Sequence, residues 1–130
     1  MRVLVDTHCL LWWLGDSAKL NKKTRGIFLN DQNDLILSAV VSWEISVKYR
    51  LKRLKLPKSP KQIFAELFEE GQFSGLAIEH THTLKTYELS DHHEDPFDRL
   101  LIAQAMVENL PVLTADSQLK KYPVKILWAI

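Results

Sequence analysis

Five short apolar runs, separated by stretches with helical spacing, leave this chain few folds to choose from. Residues 2–5, 35–37, 76–78, 111–114 and 124–128 each read as a short, continuously apolar strand of the kind buried on both faces. Between them, spacing and punctuation predict helices over residues 7–14, 19–31, 39–52, 60–71, 81–91, 97–108 and 116–121. Gly15 and Gly71 mark helix ends, Ser38 and either Asp6 or Thr7 mark helix starts, and Pro57 and Pro60 punctuate a loop. Strands that alternate with helices predict an α/β sandwich with a mostly parallel sheet, because each parallel crossover needs a connecting helix. The clearest local signal is Asp95-Pro96, an N-cap acid directly before a Pro at the first helical position. The helix it opens carries Leu100, Leu101, Ile102, Ala103, Ala105, Met106 and Val107, so it is apolar on most of its circumference and is expected to lie buried.

With 130 residues, 46% of them hydrophobic and 25% charged, the chain suits one globular domain over 1–130 rather than a disordered segment. Its one cysteine, Cys9, excludes an internal disulfide framework and a four-cysteine zinc site, and suits a reducing cytosol. Asp6 interrupts the apolar stretch a signal peptide needs, and no apolar run reaches the roughly 18 residues of a membrane span. A cytoplasmic protein without membrane contact is expected. The formal net charge is only +1, which disfavours a bulk polyanion binder, yet the charge is unevenly laid out. Residues 48–61 hold seven basic side chains and no acid; residues 66–98 hold nine acids and one Lys. Such blocks are commonly solvated helix faces, and a basic stripe beside an acidic pocket is the other reading.

In open parallel sheets, ligands gather beyond the carboxyl ends of the strands. Asp6 ends the first predicted strand, Asp116 lies two residues past the fourth, and Glu44 sits about one and a half turns into the helix after the second. Asp98 occupies the third helical position counted from Pro96. Each acid alone has a plain explanation. Asp6 and Asp116 suit helix caps, Asp98 suits a capping box with Asp95, and Glu44 suits an i,i+4 pair with Lys48 on a wet face. Together they suggest a pocket of carboxylates that repel one another unless a cation joins them. Hard oxygen ligands select Mg²⁺ or Mn²⁺, which points to metal-assisted phosphodiester hydrolysis.

The segments VDTHCLLWWL (5–14), ILSAVVSWEISVKYRLKRLKL (36–56), HHEDPFDRLLIAQAMVENLPVLTADSQL (92–119) and YPVKIL (122–127) resemble the PIN-domain nucleases, specifically the VapC-type toxins of bacterial toxin–antitoxin pairs. The stretches follow family order and span almost the whole chain, and DPFDRLLIAQA with a later LTAD is the specific part. The resemblance implies a three-layer α/β/α sandwich around a parallel five-stranded sheet of order 3-2-1-4-5. It implies a metal site of Asp6, Glu44, Asp98 and Asp116, and Mg²⁺- or Mn²⁺-dependent endonucleolytic cleavage of RNA by a metal-activated water. It also implies a cognate antitoxin and a homodimer.

Other positions have two readings each. Thr7 and Thr114 beside the acids, and Ser117 more weakly, are candidate supports for a carboxylate, water or phosphate, or simple caps. Asp95 reads first as the cap that orients its turn, with a supporting role at the site as the second reading. Arg99 suits a phosphate or the acidic cluster, or an ordinary salt bridge. His92 and His93 suit packing or capping before an RNA contact, and His8 with Cys9 lacks a zinc partner pair. Lys48, Arg50, Lys52, Arg53 and Lys55 lead away from the proposed site and suit RNA phosphates or an antitoxin tail. Trp12 and Trp13 are about 100° apart on their helix, so one of them is expected to be partly exposed and available to a subunit or antitoxin interface. Two rivals remain: a non-catalytic PIN-like domain binding RNA or protein, and a haloacid-dehalogenase-type phosphatase, for which His8 stands where a second Asp is needed.

Overall fold

The computed structural model describes residues 1–130. Five strands, β1 (Arg2–Val5), β2 (Asp34–Ser38), β3 (Phe73–Leu76), β4 (Val112–Thr114) and β5 (Ile126–Trp128), form one sheet in the order β3-β2-β1-β4-β5. Every pairing is parallel. Six helices connect them: α1 (Thr7–Leu14), α2 (Lys22–Leu29), α3 (Ala39–Arg50), α4 (Pro60–Glu69), α5 (His80–Lys85) and α6 (Pro96–Glu108). Short 3-10 turns follow at Thr86–Glu88 and Ser117–Lys121. The chain steps outward from β1 to β2 and β3, then jumps back across to β4 on the other side of β1. The reversal therefore lies between the carboxyl ends of β1 and β4, where such sheets open a crevice.

Apolar residues on both faces make the central strands interior ones. Val3, Leu4 and Val5 of β1, Leu35 to Leu37 of β2, and Val112 and Leu113 of β4 are all buried. They belong to a single core cluster of 27 residues that also takes in Leu101, Ile102, Ala103 and Ala105 of α6. The prediction of a buried 97–108 helix holds for most of its circumference, with Val107 left on the exposed side. Asp95 caps α6 by accepting from the main-chain N–H of Phe97 and Asp98, and Asn109, in the left-handed region at φ 54°, ends it.

Several elements differ from expectation. β3 occupies Phe73–Leu76, not 76–78, because its partner β2 ends at Ser38, which lies opposite Leu76 and already caps α3. Beyond that point no strand edge remains for Ala77 and Ile78 to pair with. The helix predicted over 39–52 stops at Arg50, and Lys52 takes a left-handed φ of 59°. The stretch predicted as one helix over 81–91 is α5 followed by a 3-10 turn, and 116–121 is 3-10 rather than α-helical.

A buried polar link fixes α3, the helix that carries Glu44. The Ser38 hydroxyl donates to Oε1 of the fully buried Gln104 on α6 and accepts from Val40 N–H. Gln104 Nε2 in turn donates to the Ala77 carbonyl. No helix is long and apolar enough to cross a membrane. Trp12 and Trp13 are both half-buried, Trp13 stacked on Phe28 at 4.6 Å and Trp12 tilted against His8 at 6.0 Å.

If α6 is held by packing rather than by helix propensity, Ile102→Ala should destabilise the protein by about 2–5 kcal/mol. Val107→Ala, on the exposed side, should change stability by no more than about 0.5 kcal/mol. Urea unfolding followed by circular dichroism measures both.

Candidate metal centre

The register of β1 against β4 sets Leu4 beside Val112 and Val5 beside Leu113, and Asp6 N–H donates to the Leu113 carbonyl at 3.0 Å. One residue on, Asp6 and Thr114 are adjacent, and the Thr114 hydroxyl donates to Asp6 Oδ2 at 2.6 Å. The same hydroxyl oxygen accepts the Asp116 N–H at 3.0 Å, so one buried side chain ties both loops at the crevice. Asp6 stands at the N-cap position of α1 but makes no side-chain cap bond. The capping role considered for it is thereby corrected: Thr114 competes for the carboxylate and holds it toward the crevice.

Glu44 enters from α3. It is 4% exposed, so the wet-face reading fails, although its i,i+4 partner is Lys48 as that reading had it. Oε1 accepts from the buried Thr7 hydroxyl at 2.7 Å and Oε2 takes the Lys48 ammonium. Asp98, in the first turn of α6, forms no capping box with Asp95. Its Oδ2 lies 3.1 Å from His93 Nε2. Asp116 does cap its 3-10 turn, accepting Gln118 N–H at Oδ1, while its Oδ2 accepts from His93 Nε2 at 2.8 Å. A pocket of about 240 Å³ lined by Asp6, His8, Trp12, Ala115 and Asp116 opens beside them.

Crowding at the crevice is visible in the electrostatics of Asp6 and Asp98. Burial pushes the Asp6 carboxyl above its ordinary range, with Glu44 adding to the rise, while the Thr114 bond and His8 pull the other way. Asp98 is pushed up to about 7, first by burial, then by the charges of Asp6 and Asp95, with Glu44 contributing and His93 opposing. Lys48 is raised chiefly by its hydrogen bond to Glu44. Burial also pushes the Cys9 thiol up, so it stays protonated and unreactive in the core. Asp98 and Asp116, with Asp6 and Glu44 near enough for their charges to act on Asp98, present hard oxygen donors whose chemistry fits a divalent cation. His93, Asp98 and Asp116 offer ligand atoms all within 4.8 Å of one another.

The remaining sequence candidates divide. Thr7 and Thr114 both support carboxylates, Asp95 is the α6 cap, and Ser117 is exposed next to Asp116. The phosphate role considered for Arg99 does not fit its position. Its guanidinium donates to the carbonyls of Thr86, Leu89, Ser90 and His93 and to the Tyr122 hydroxyl, so it latches the 86–95 segment to α6. Arg50, Lys52 and Arg53 are exposed and run away from the acids beyond Lys48. His93 is the residue that sequence reasoning undervalued; the signal available was its place two residues before the Asp95 cap.

Comparison with known proteins gives a consistent picture. The PIN domain sequence profile matches residues 3–125. Ribonuclease VapC16 of Mycobacterium tuberculosis is 33% identical over 67 residues, which is 52% of this chain and 48% of that protein. VapBC2 of Rickettsia felis, solved bound to a DNA fragment from its promoter, superposes with a TM-score of 0.70 at 16% identity, covering 100% of both chains. A toxin–antitoxin complex from Klebsiella pneumoniae superposes with a TM-score of 0.65 at 14% identity, covering 98% of this chain and 99% of that one. At such identities the structural likeness establishes the fold, including the 3-2-1-4-5 sheet.

The raised Asp98 value has a consequence for stability. In chelator, Asp98 releases its proton near 3.8 when unfolded and at about 7 when folded. Between those values the folded state holds a proton that the unfolded state has lost, so this contribution falls as pH rises from about 4 to about 7 and then levels off. Asp6, shifted in the same direction, adds to the trend. Asp98→Asn should therefore be more stable than the parent at pH 7.5 by roughly 1–3 kcal/mol, with the gap closing toward pH 5. Thermal melts at the two pH values read this difference directly; an equal gap at both would show that Asp98 does not titrate as stated.

Proposed function

This chain belongs to the PIN-domain family, and on that footing we propose that it is a divalent-cation-dependent endoribonuclease serving as the toxin of a type II toxin–antitoxin pair. The observation that carries the reading is that Asp98 and Asp116 bring ligand atoms within 4.8 Å of one another beside the sheet's reversal point, with Asp6 and Glu44 close enough for their charges to raise Asp98. The likeness to a curated VapC ribonuclease supports the activity, and the toxin–antitoxin complex among the structural relatives supports a protein partner. Residues 1–130 are taken as one PIN domain of a cytoplasmic protein, working as a homodimer on RNA.

In this reading Asp6, Glu44, Asp98 and Asp116 hold the ion, and their all-oxygen chemistry favours Mg²⁺ or Mn²⁺. When bound, such an ion supplies a nucleophile at neutral pH and stabilises charge developing on the phosphate. The chain's own residues do the rest. Thr114 and Thr7 orient Asp6 and Glu44 from inside the protein, where water cannot compete for the bonds. Lys48 offsets part of the pocket's negative charge, which otherwise repels an RNA backbone. Beyond it, Arg50, Lys52 and Arg53 offer phosphate contacts whose strength falls steeply with salt.

Purified protein free of any partner should cleave RNA with Mg²⁺ or Mn²⁺ and stop when chelator is added. Asp6→Asn and Asp98→Asn should each lose about 100-fold or more, beyond the loss typical of residues that only support a metal ligand. RNA binding without turnover in any metal would instead identify a binding module. Growth arrest on expression, relieved by a small neighbouring protein, tests the toxin role; cleavage without arrest would leave the nuclease and remove the toxin.

A further inference from the structure

His93 is held more completely than a loop histidine needs to be. Its main-chain N–H donates to the Tyr122 hydroxyl at 2.9 Å, and its carbonyl accepts from Arg99 Nη1 at 3.1 Å. Its ring Nδ1 accepts the Asp95 N–H at 3.1 Å. That last bond decides what the other nitrogen can do. An Nδ1 that accepts carries no proton, so in the imidazole the proton resides on Nε2. Nε2 then points its one donor, not a lone pair, at Asp116 Oδ2 (2.8 Å), and the same nitrogen lies 3.1 Å from Asp98 Oδ2. To ligate a cation through Nε2, the ring would have to place a proton on Nδ1, facing the Asp95 N–H donor.

We propose that His93 is a positioning residue of the metal centre, which uses its Nε2–H to hold the Asp116 carboxylate beside Asp98 and contributes no ligand atom of its own. A carboxylate oxygen has two lone pairs, so Asp116 can accept from Nε2 and still face an ion. The device joins acids from two elements, α6 and the loop after β4. It also assigns a purpose to Arg99 and Tyr122: both act on the reaction only through the placement of this ring. The inference rests on the metal-site reading above.

Two measurements test it. Isothermal titration of Mn²⁺ into the full chain should show His93→Phe binding about 10- to 100-fold more weakly than the parent. His93→Gln, which can present an N–H near the same point, should recover most of that loss, and thermal melts confirm that all variants fold. Asp98→Asn serves as the control: if it binds Mn²⁺ like the parent, the metal-site reading fails. If Asp98→Asn loses binding while His93→Phe keeps it, the site stands and the role of His93 is refuted. Independently of any variant's fold, two-bond nitrogen–proton correlation spectra of the parent histidines should show the His93 Nδ1 unprotonated and Nε2 protonated, both in chelator and with Mg²⁺. A protonated Nδ1 in either spectrum overturns the assignment.

Discussion

The Thr114 hydroxyl does two things at once, and much of the site follows from it. It donates to a carboxylate oxygen of Asp6 and accepts the N–H of Asp116, in a position where neither bond competes with water. Those bonds exist only because β1 and β4 are paired in one register; a slip of one residue would turn Thr114 to the opposite face and separate the two acids. That register is held by ladder bonds, Leu4 N–H to the Pro111 carbonyl at 2.9 Å and Asp6 N–H to the Leu113 carbonyl at 3.0 Å, inside the packed core. The chemistry at the crevice thus depends on packing several residues below it.

Gathering carboxylates in this way works against stability. Asp6 and Asp98 are both raised by burial and by their neighbours, so the protein carries a pocket that prefers protons or a cation to empty charge. The chain answers the strain locally. Lys48 sits on Glu44, and the donors of Thr7, Thr114 and His93 each reach a carboxylate oxygen. None of these removes the negative charge altogether, and this residual demand is what suits the pocket to a divalent ion. Basic residues continue past Lys48 along the surface, so the +1 net charge conceals two opposite surfaces rather than an absence of fields.

What the sequence revealed and what it hid can be traced to range. The strand at 2–5, the cap at Asp95 and the buried α6 depend on neighbours a few residues apart, and all were legible from spacing. The position of β3 was not, since its end is dictated by where β2 stops, some 38 residues earlier, and not by its own apolar run. Arg99 looked available for phosphate because a sequence shows the charge and not the four carbonyls folded around it. Glu44 had both its readings right in part: it pairs with Lys48, yet it does so buried.

The sequence by itself determined the alternation of strands and helices, hence a parallel sheet with its loops at one end, and it placed an acid at or near the end of β1, β4 and the start of α6. These are consequences of hydrophobic period and capping chemistry, which act over a few residues. Only the tertiary structure decided which oxygen of each acid is held, that Asp6 serves the crevice rather than the cap, and that His93 lies between Asp98 and Asp116. Those outcomes depend on hydrogen bonds between residues up to 108 positions apart, such as Thr114 to Asp6, whose partners meet only when strand register and helix packing have closed the fold.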